Sequence, residues 1–339
     1  MPLAIQSDSD SPVIDPGIPI VDAHHHLFVR PNRKYLFENY LEDTKIGHNI
    51  VASTYVETQT FARTDGPELL RPLGEVNFAN AVGVLSDTGA YGRSRICAAI
   101  VGHADMRAGD SIAELLDRAL ELAPDRFRGV RQMTLDFPSE EPYRYMATRP
   151  VLGVLQNPNF PLAFRHLAKR SLTFDAAVFH TQLPTIAKLA ADFPDTNIVL
   201  NHMGTAVGLG LDADGRAEVF RDWSAKLREV ARHSNVFCKV GGLGMPFWGF
   251  GFESRPERPR YLELATAWTP YVETAIEAFG ANRCMMESNF PPDMVSCDFR
   301  ELWNALKHIV RSYSDTDKAA LFQGTAARTY RIDIGARAT

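Results

Sequence analysis

Eight short runs rich in Val, Ile and Ala, most of them followed by an amphipathic stretch, constrain the fold of this chain more than any other feature. They are Ile18–Ala23 (IPIVDA), Asn49–Glu57, Arg95–Gly102, Phe127–Gln132, Thr173–His180, Asn197–His202, Asn235–Gly241 and Arg283–Asn289. Expected helices include Ser111–Ala123 after Asp110 as N-cap, Leu183–Phe193 with Pro184 near its start, Glu218–Arg232, and Trp268–Phe279 closed by Gly280. Strands that are apolar along most of their length and alternate with helices belong to parallel sheets covered on both faces, and eight such units close into a barrel. The expected fold is an α/β, (β/α)8 TIM-like barrel, one domain over residues 18–339, behind a flexible polar arm at residues 1–17. An open doubly wound sheet competes, but no GxGxxG turn follows an early strand.

With 45% hydrophobic residues among 339, the chain can bury a large core. Its net charge of -5 comes from interspersed acids and bases, which leaves no basic patch for nucleic acid. No run approaches the ~20 apolar residues of a membrane span, and the polar start lacks the form of a secretory signal, so a cytoplasmic protein is expected. Its partner is then a small-molecule substrate, with a homo-oligomer left open. Cys97, Cys238, Cys284 and Cys297 form no CxxC pair and read as buried, reduced thiols.

Directly behind the first apolar run stand His24, His25 and His26. Alternation along a strand points His24 and His26 the same way and His25 outward. In a barrel, active sites lie at the C-terminal ends of strands, so the closing residues form one ring. That ring contains His24 and His26, Glu57, Arg131, His180, His202, Lys239, Glu287 and Asn289, with Asp293 just beyond. Singly, each has a plain structural reading: a hydrogen-bonded core histidine, a salt-bridged arginine, a snorkelling lysine. Convergence of four histidines on one mouth is what points to chemistry. A further run, GMPFWGFGF at residues 244–252, brings Phe247, Trp248, Phe250 and Phe252 near the mouth, as a lid against substrate or as packing between loops.

The succession VDAHHHLF, RFRGVRQ, FHTQLPTIAKLAADFPDTNIVLNHMG, NVFCKVGG and RCMMESNFPPD resembles the amidohydrolase-related barrels, from about Ile18 to Ile332. It is most similar to the branch with pyrone-dicarboxylate lactonase and sugar lactonases; where other branches carry a bridging lysine on strand four, this chain has Arg131. The resemblance implies hydrolysis, or occasionally decarboxylation, at the barrel mouth. It implies His24, His26 and His180 as holders of a divalent metal, zinc first, and Arg131 as the grip on a substrate carboxylate. Glu57, Lys239 and Trp248 join Arg131 as expected substrate contacts.

One departure matters. Relatives end strand eight in an aspartate, whereas this chain reads Glu287, Ser288, Asn289. An amide is neither a useful base nor a good ligand beside imidazoles. Glu287, Asp293 or His202 would have to replace it, and a metal-independent mechanism becomes a rival. Glu287 has a second reading, as a buried partner that fixes a histidine tautomer. The expected reaction is opening of a lactone or similar cyclic ester of an acidic or aromatic substrate by activated water. The alternatives are decarboxylation of an aromatic or enoic acid, and a barrel that only binds its ligand.

Overall fold

The computed structural model describes residues 11–335. Eight parallel strands form one sheet in chain order: β1 (Pro19–His25), β2 (Asn49–Val56), β3 (Arg95–His103), β4 (Phe127–Met133), β5 (Thr173–Ala177), β6 (Ile198–Leu200), β7 (Val236–Val240) and β8 (Cys284–Met286). A helix follows each: α1 (Phe37–Thr44), α2 (Leu73–Asp87), α3 (Ile112–Leu122), α4 (Phe160–Ala168), α5 (Leu183–Asp192), α6 (Ala213–Ala231), α7 (Tyr261–Phe279) and α8 (Phe299–Ile309). This is the expected (β/α)8 barrel. Its seam closes at the mouth, just past β8: Asn289 N–H donates to His24 O at 2.9 Å and His26 N–H to Phe290 O at 2.8 Å. Closure therefore draws the end of strand eight against the histidine run of strand one.

Two apolar layers hold the barrel. Ile20, Ile50, Ile100, Phe174 and Ile198 pack outward against helix residues such as Leu116, Phe164, Trp223 and Trp303, each burial contributing roughly 1.5–3 kcal/mol. Inside, Val21, Ala23, Ala52, Ala99, Val101 and Val199 are small enough to admit Tyr330 and Ile332 from the C-terminal turn. Such a layered filling makes the interior a core with its site at one end.

The differences from expectation have local causes. Strands five to eight are shorter than their apolar runs, because the chain leaves β5 and β6 in 3-10 turns at His180–Gln182 and Asn201–Gly204. A ribbon of Phe28–Arg30 paired with Arg33–Tyr35 follows β1. Asp110 caps nothing; it pairs with Arg165 and His166, and Ser111 precedes α3. Helix α6 starts at Ala213 because Asp212 accepts from Gly215 N–H. Of the arm expected at residues 1–17, residues 1–10 lie outside the described residues. The remainder is tied down: Asn304 bonds Pro12 O and Ile14 N–H, and Lys307 Nζ donates to Ile14 O and Asp15 O.

All four cysteines are free and buried, as expected. Burial pushes each thiol upward, so little thiolate forms near neutrality. Ellman's reagent is expected to leave the folded protein unmodified and to titrate four thiols in denaturant.

Candidate active site

Alternation along β1 does what the sequence implies. His25 faces outward, stacked on Tyr40 at 4.0 Å, while His24 and His26 share the inner face with Nε2 atoms 3.0 Å apart. Asp22 fixes this strand end by accepting from Ser288 N–H, Ser288 Oγ, Tyr40 OH and His24 N–H. Burial pushes the Asp22 carboxyl up to about 6 against those bonds.

Hydrogen bonds settle which ring nitrogens carry protons. His26 Nδ1 lies 2.8 Å from Val56 O, which can only accept, so Nδ1 is the protonated atom and Nε2 keeps its lone pair. His202 Nδ1 donates to Glu287 Oε1 at 2.6 Å, while His24 Nδ1 lies 3.0 Å from Glu287 Oε2 without hydrogen-bond geometry and 3.4 Å from the Lys239 ammonium. That leaves Nε2 of His202 unprotonated as well. Burial first, then neighbouring positive charge, holds His24 and His26 well below the usual histidine range, so both stay neutral. Exposures of 0% for His24, 6% for His26 and 9% for His202 show that the cleft opens over the last two.

His202 reaches this place through a strained turn. Its φ of 51 and that of Met203, 54, are left-handed, a conformation that costs of order 1 kcal/mol for a non-glycine residue. The ring then lies over Gly242, where a Cβ would stand 2.4 Å from His202 Nδ1. Only glycine fits there.

Two imidazole nitrogens facing each other at 3.0 Å need a proton or a cation between them, and the Glu287 Oε2 atom, buried, has no hydrogen-bond partner of good geometry. Among the described residues, His24, His202 and Glu287 also form a group of possible ligands whose atoms lie within 4.8 Å of one another. His24 belongs to both groupings, and its Nε2 with that of His26 suits a divalent ion while His202 and Glu287 stand beside the pair.

The other expected site residues are placed differently. His180 accepts from Val207 N–H through Nδ1 and turns Nε2 toward Asp222 on α6, 3.9 Å away, outside the histidine group. Arg131 and Glu57 are spent on each other: Arg131 Nε donates to Glu57 Oε1 at 2.8 Å and Nη2 to Glu57 O at 2.7 Å. Nη1 lies 3.4 Å from His24 Nε2, so the guanidinium expected to hold a substrate carboxylate already carries one within the protein, that of Glu57. Lys239 is fully buried beneath the site, where Nζ donates to Asp175 Oδ2 at 2.7 Å and lies 3.4 Å from His24 Nδ1. Asn289 donates to Asp293 Oδ1 at 2.6 Å, and Asp293 Oδ2 accepts from Gly244 N–H, so Asp293 braces the loop after β7. Burial holds its carboxyl well above the usual range.

Trp248, expected to touch substrate, is also buried. It stacks edge-on with Trp223 and Tyr271, and its Nε1–H donates to Gly242 O, so the aromatic run is packing between loop and helices. Phe247 instead joins Leu135, Tyr143, Phe179 and Val207 in an apolar cluster from the loops after β4 to β7. Sequence reasoning missed Asp175 and Tyr330, whose OH donates to Asp175 from the far end of the chain. It also missed Arg30 and Arg33, which the hairpin pattern VRPNRK around Pro31 and Asn32 could have signalled.

The family model described as amidohydrolase matches residues 21–332. An uncharacterised protein, y4mH of Sinorhizobium fredii, is 32% identical over 93% of this chain and 99% of its own length. An L-fucono-1,5-lactonase of Burkholderia ambifaria is 28% identical over 71% of this chain and 73% of its own. Among solved structures, an amidohydrolase of Burkholderia multivorans with bound zinc superposes with a TM-score of 0.70 at 23% identity, covering 93% of this chain and 99% of that one. Among the described residues, no helix is long and apolar enough to cross a membrane.

Proposed function

Because the chain belongs to the amidohydrolase family, we propose that it is a hydrolase opening a lactone or similar cyclic ester by activated water at the His24, His26 and His202 cleft. The observation that carries this reading is the 2.6 Å bond from His202 Nδ1 to Glu287 Oε1, which leaves Nε2 of His202 as a base beside the His24 and His26 pair. His24 and His26 would hold a divalent ion, zinc in our reading, since imidazole suits it and a similar fold binds it. Bound there, such an ion polarises a carbonyl and makes water acidic near neutral pH.

The remaining chemistry belongs to the chain itself. His202 takes the proton from the attacking water at Nε2, and Glu287 stabilises the imidazolium that forms through its short bond to Nδ1. The same proton then passes to the leaving alkoxide as the ring opens. Arg131 Nη1, the guanidinium nitrogen with no bond to Glu57, points to the His24 side of the cleft, where negative charge builds on the carbonyl oxygen. Asn289 then needs no catalytic role; Glu287 supplies the carboxylate that an aspartate would have provided.

A pH-indicator screen of the purified protein over five- and six-membered lactones tests this. Acid release that falls at least about a hundredfold in His202→Asn supports the reading. Carbon dioxide evolution from aromatic acids would replace it with decarboxylation, and ligand-dependent melting without turnover would reduce the barrel to a binding protein.

A further inference from the structure

The cleft carries two cationic side chains that the proposed chemistry does not use. The ribbon beginning at Phe28, two residues beyond His26, is a hairpin whose register sets Arg30 directly opposite Arg33. Like charges facing each other across a ribbon are destabilising unless something compensates them. Both guanidinium groups lie over the same Phe28 ring, at 4.5 Å and 5.9 Å from its centroid. Neither is paired with a carboxylate among the described residues. Arg33 donates through Nη2 to Pro291 O, two residues past Asn289, and its Nε is buried with no partner. Arg30 makes no hydrogen bond there, and the charged groups facing it are Glu57 and Arg131, which are committed to each other. Burial lowers both guanidinium groups, and Arg30 and Arg258 add to the effect at Arg33, where Arg258 is itself paired with Asp298.

Two half-buried, adjacent guanidinium groups on the β1 and β8 side of the mouth thus stand without an ion-pair partner among the described residues. We infer that Arg30 and Arg33 form an anion subsite that holds a carboxylate of the substrate, so that the ring opened at His202 belongs to an acidic lactone. This rests on the lactone-opening reading and deepens it. The planar guanidinium fork matches a carboxylate bidentately, and two of them on one rigid hairpin fix its direction relative to the reacting carbonyl. The assignment also leaves Arg131 to the carboxylate of Glu57, which it already holds. The Phe28 ring keeps both side chains extended over one surface, so little rotamer freedom remains to be lost on binding.

The experiment has a kinetic arm and a binding arm. Wild type, Arg30→Gln and Arg33→Gln are assayed on a carboxylated lactone and on its methyl ester. Arg30→Gln is expected to raise KM for the acid at least about tenfold, with kcat within about threefold, and to leave the ester unchanged. Independently, succinate and inorganic phosphate are titrated into each protein by calorimetry. Succinate binding that weakens at least about tenfold in Arg30→Gln, and also in Arg33→Gln, supports the subsite even if no lactone is opened, in which case the lactone reading alone fails. Acid and ester handled alike by wild type, succinate bound equally by wild type and Arg30→Gln, or phosphate bound more tightly than succinate would each overturn the assignment.

Discussion

Glu287→Gln is expected to abolish most of the turnover, by about a hundredfold or more, while the protein still folds. The amide keeps the size of the side chain but not its charge, so it no longer balances the imidazolium that forms when His202 takes a proton, and turned the wrong way its NH2 group meets His202 Nδ1–H as a second donor. In that case the imidazole must flip or change tautomer, and its Nε2 lone pair leaves the cleft. Removing such a carboxylate partner typically costs 10- to 100-fold in metal affinity or activity. Here that partner serves the general base itself, so the loss falls on kcat rather than KM. Steady-state kinetics with a chelator-competition titration check this, and Glu287→Gln turning over within about tenfold of wild type would refute the dyad.

Lys239→Met is expected to be the most destabilising single change, at about 3–5 kcal/mol, because it strands Asp175 as an uncompensated buried charge. Asp175 accepts from Lys239 Nζ, from Tyr330 OH and from Asn201 Nδ2, all inside the barrel. Replacing both charges, as Lys239→Met with Asp175→Asn, should recover most of the loss, since two neutral groups leave no buried ion. Tyr330→Phe keeps the ring in the interior and removes one bond, for about 1–3 kcal/mol. Urea unfolding of the four proteins measures these differences. A double variant no more stable than Lys239→Met would show that Lys239 matters through packing instead.

The barrel was legible because its evidence is periodic and repeated: eight apolar runs with helices between them leave few topologies open. The inward facing of His24 and His26 followed from strand alternation alone. What sequence could not give was partnership. Glu57 and Arg131 are 74 positions apart, and nothing in either marks the other as the group that would neutralise it. Asp175 sits mid-strand in an apolar run, and its partner Tyr330 lies in a C-terminal turn 155 positions away. His180 was expected to close β5, yet the strand ends at Ala177 and the 3-10 turn beginning at the histidine turns it toward α6. Glu287 had two readings in sequence, as base or as tautomer clamp, and only the 2.6 Å bond from His202 Nδ1 favours the clamp. The Gly244–Phe252 run was ambiguous because aromatic composition is the same for a lid and for packing; Trp248 buried against Trp223 and Tyr271 is packing.

Metal analysis of protein purified without chelator decides whether the histidine pair is a metal site. One equivalent of divalent ion is expected in the wild type, lost in His24→Ala and in His26→Ala together with activity, while His202→Asn keeps the ion and loses turnover. A fully active wild type without bound metal, or an ion retained in His26→Ala, would contradict the convergence of lone pairs on which the chemistry is built.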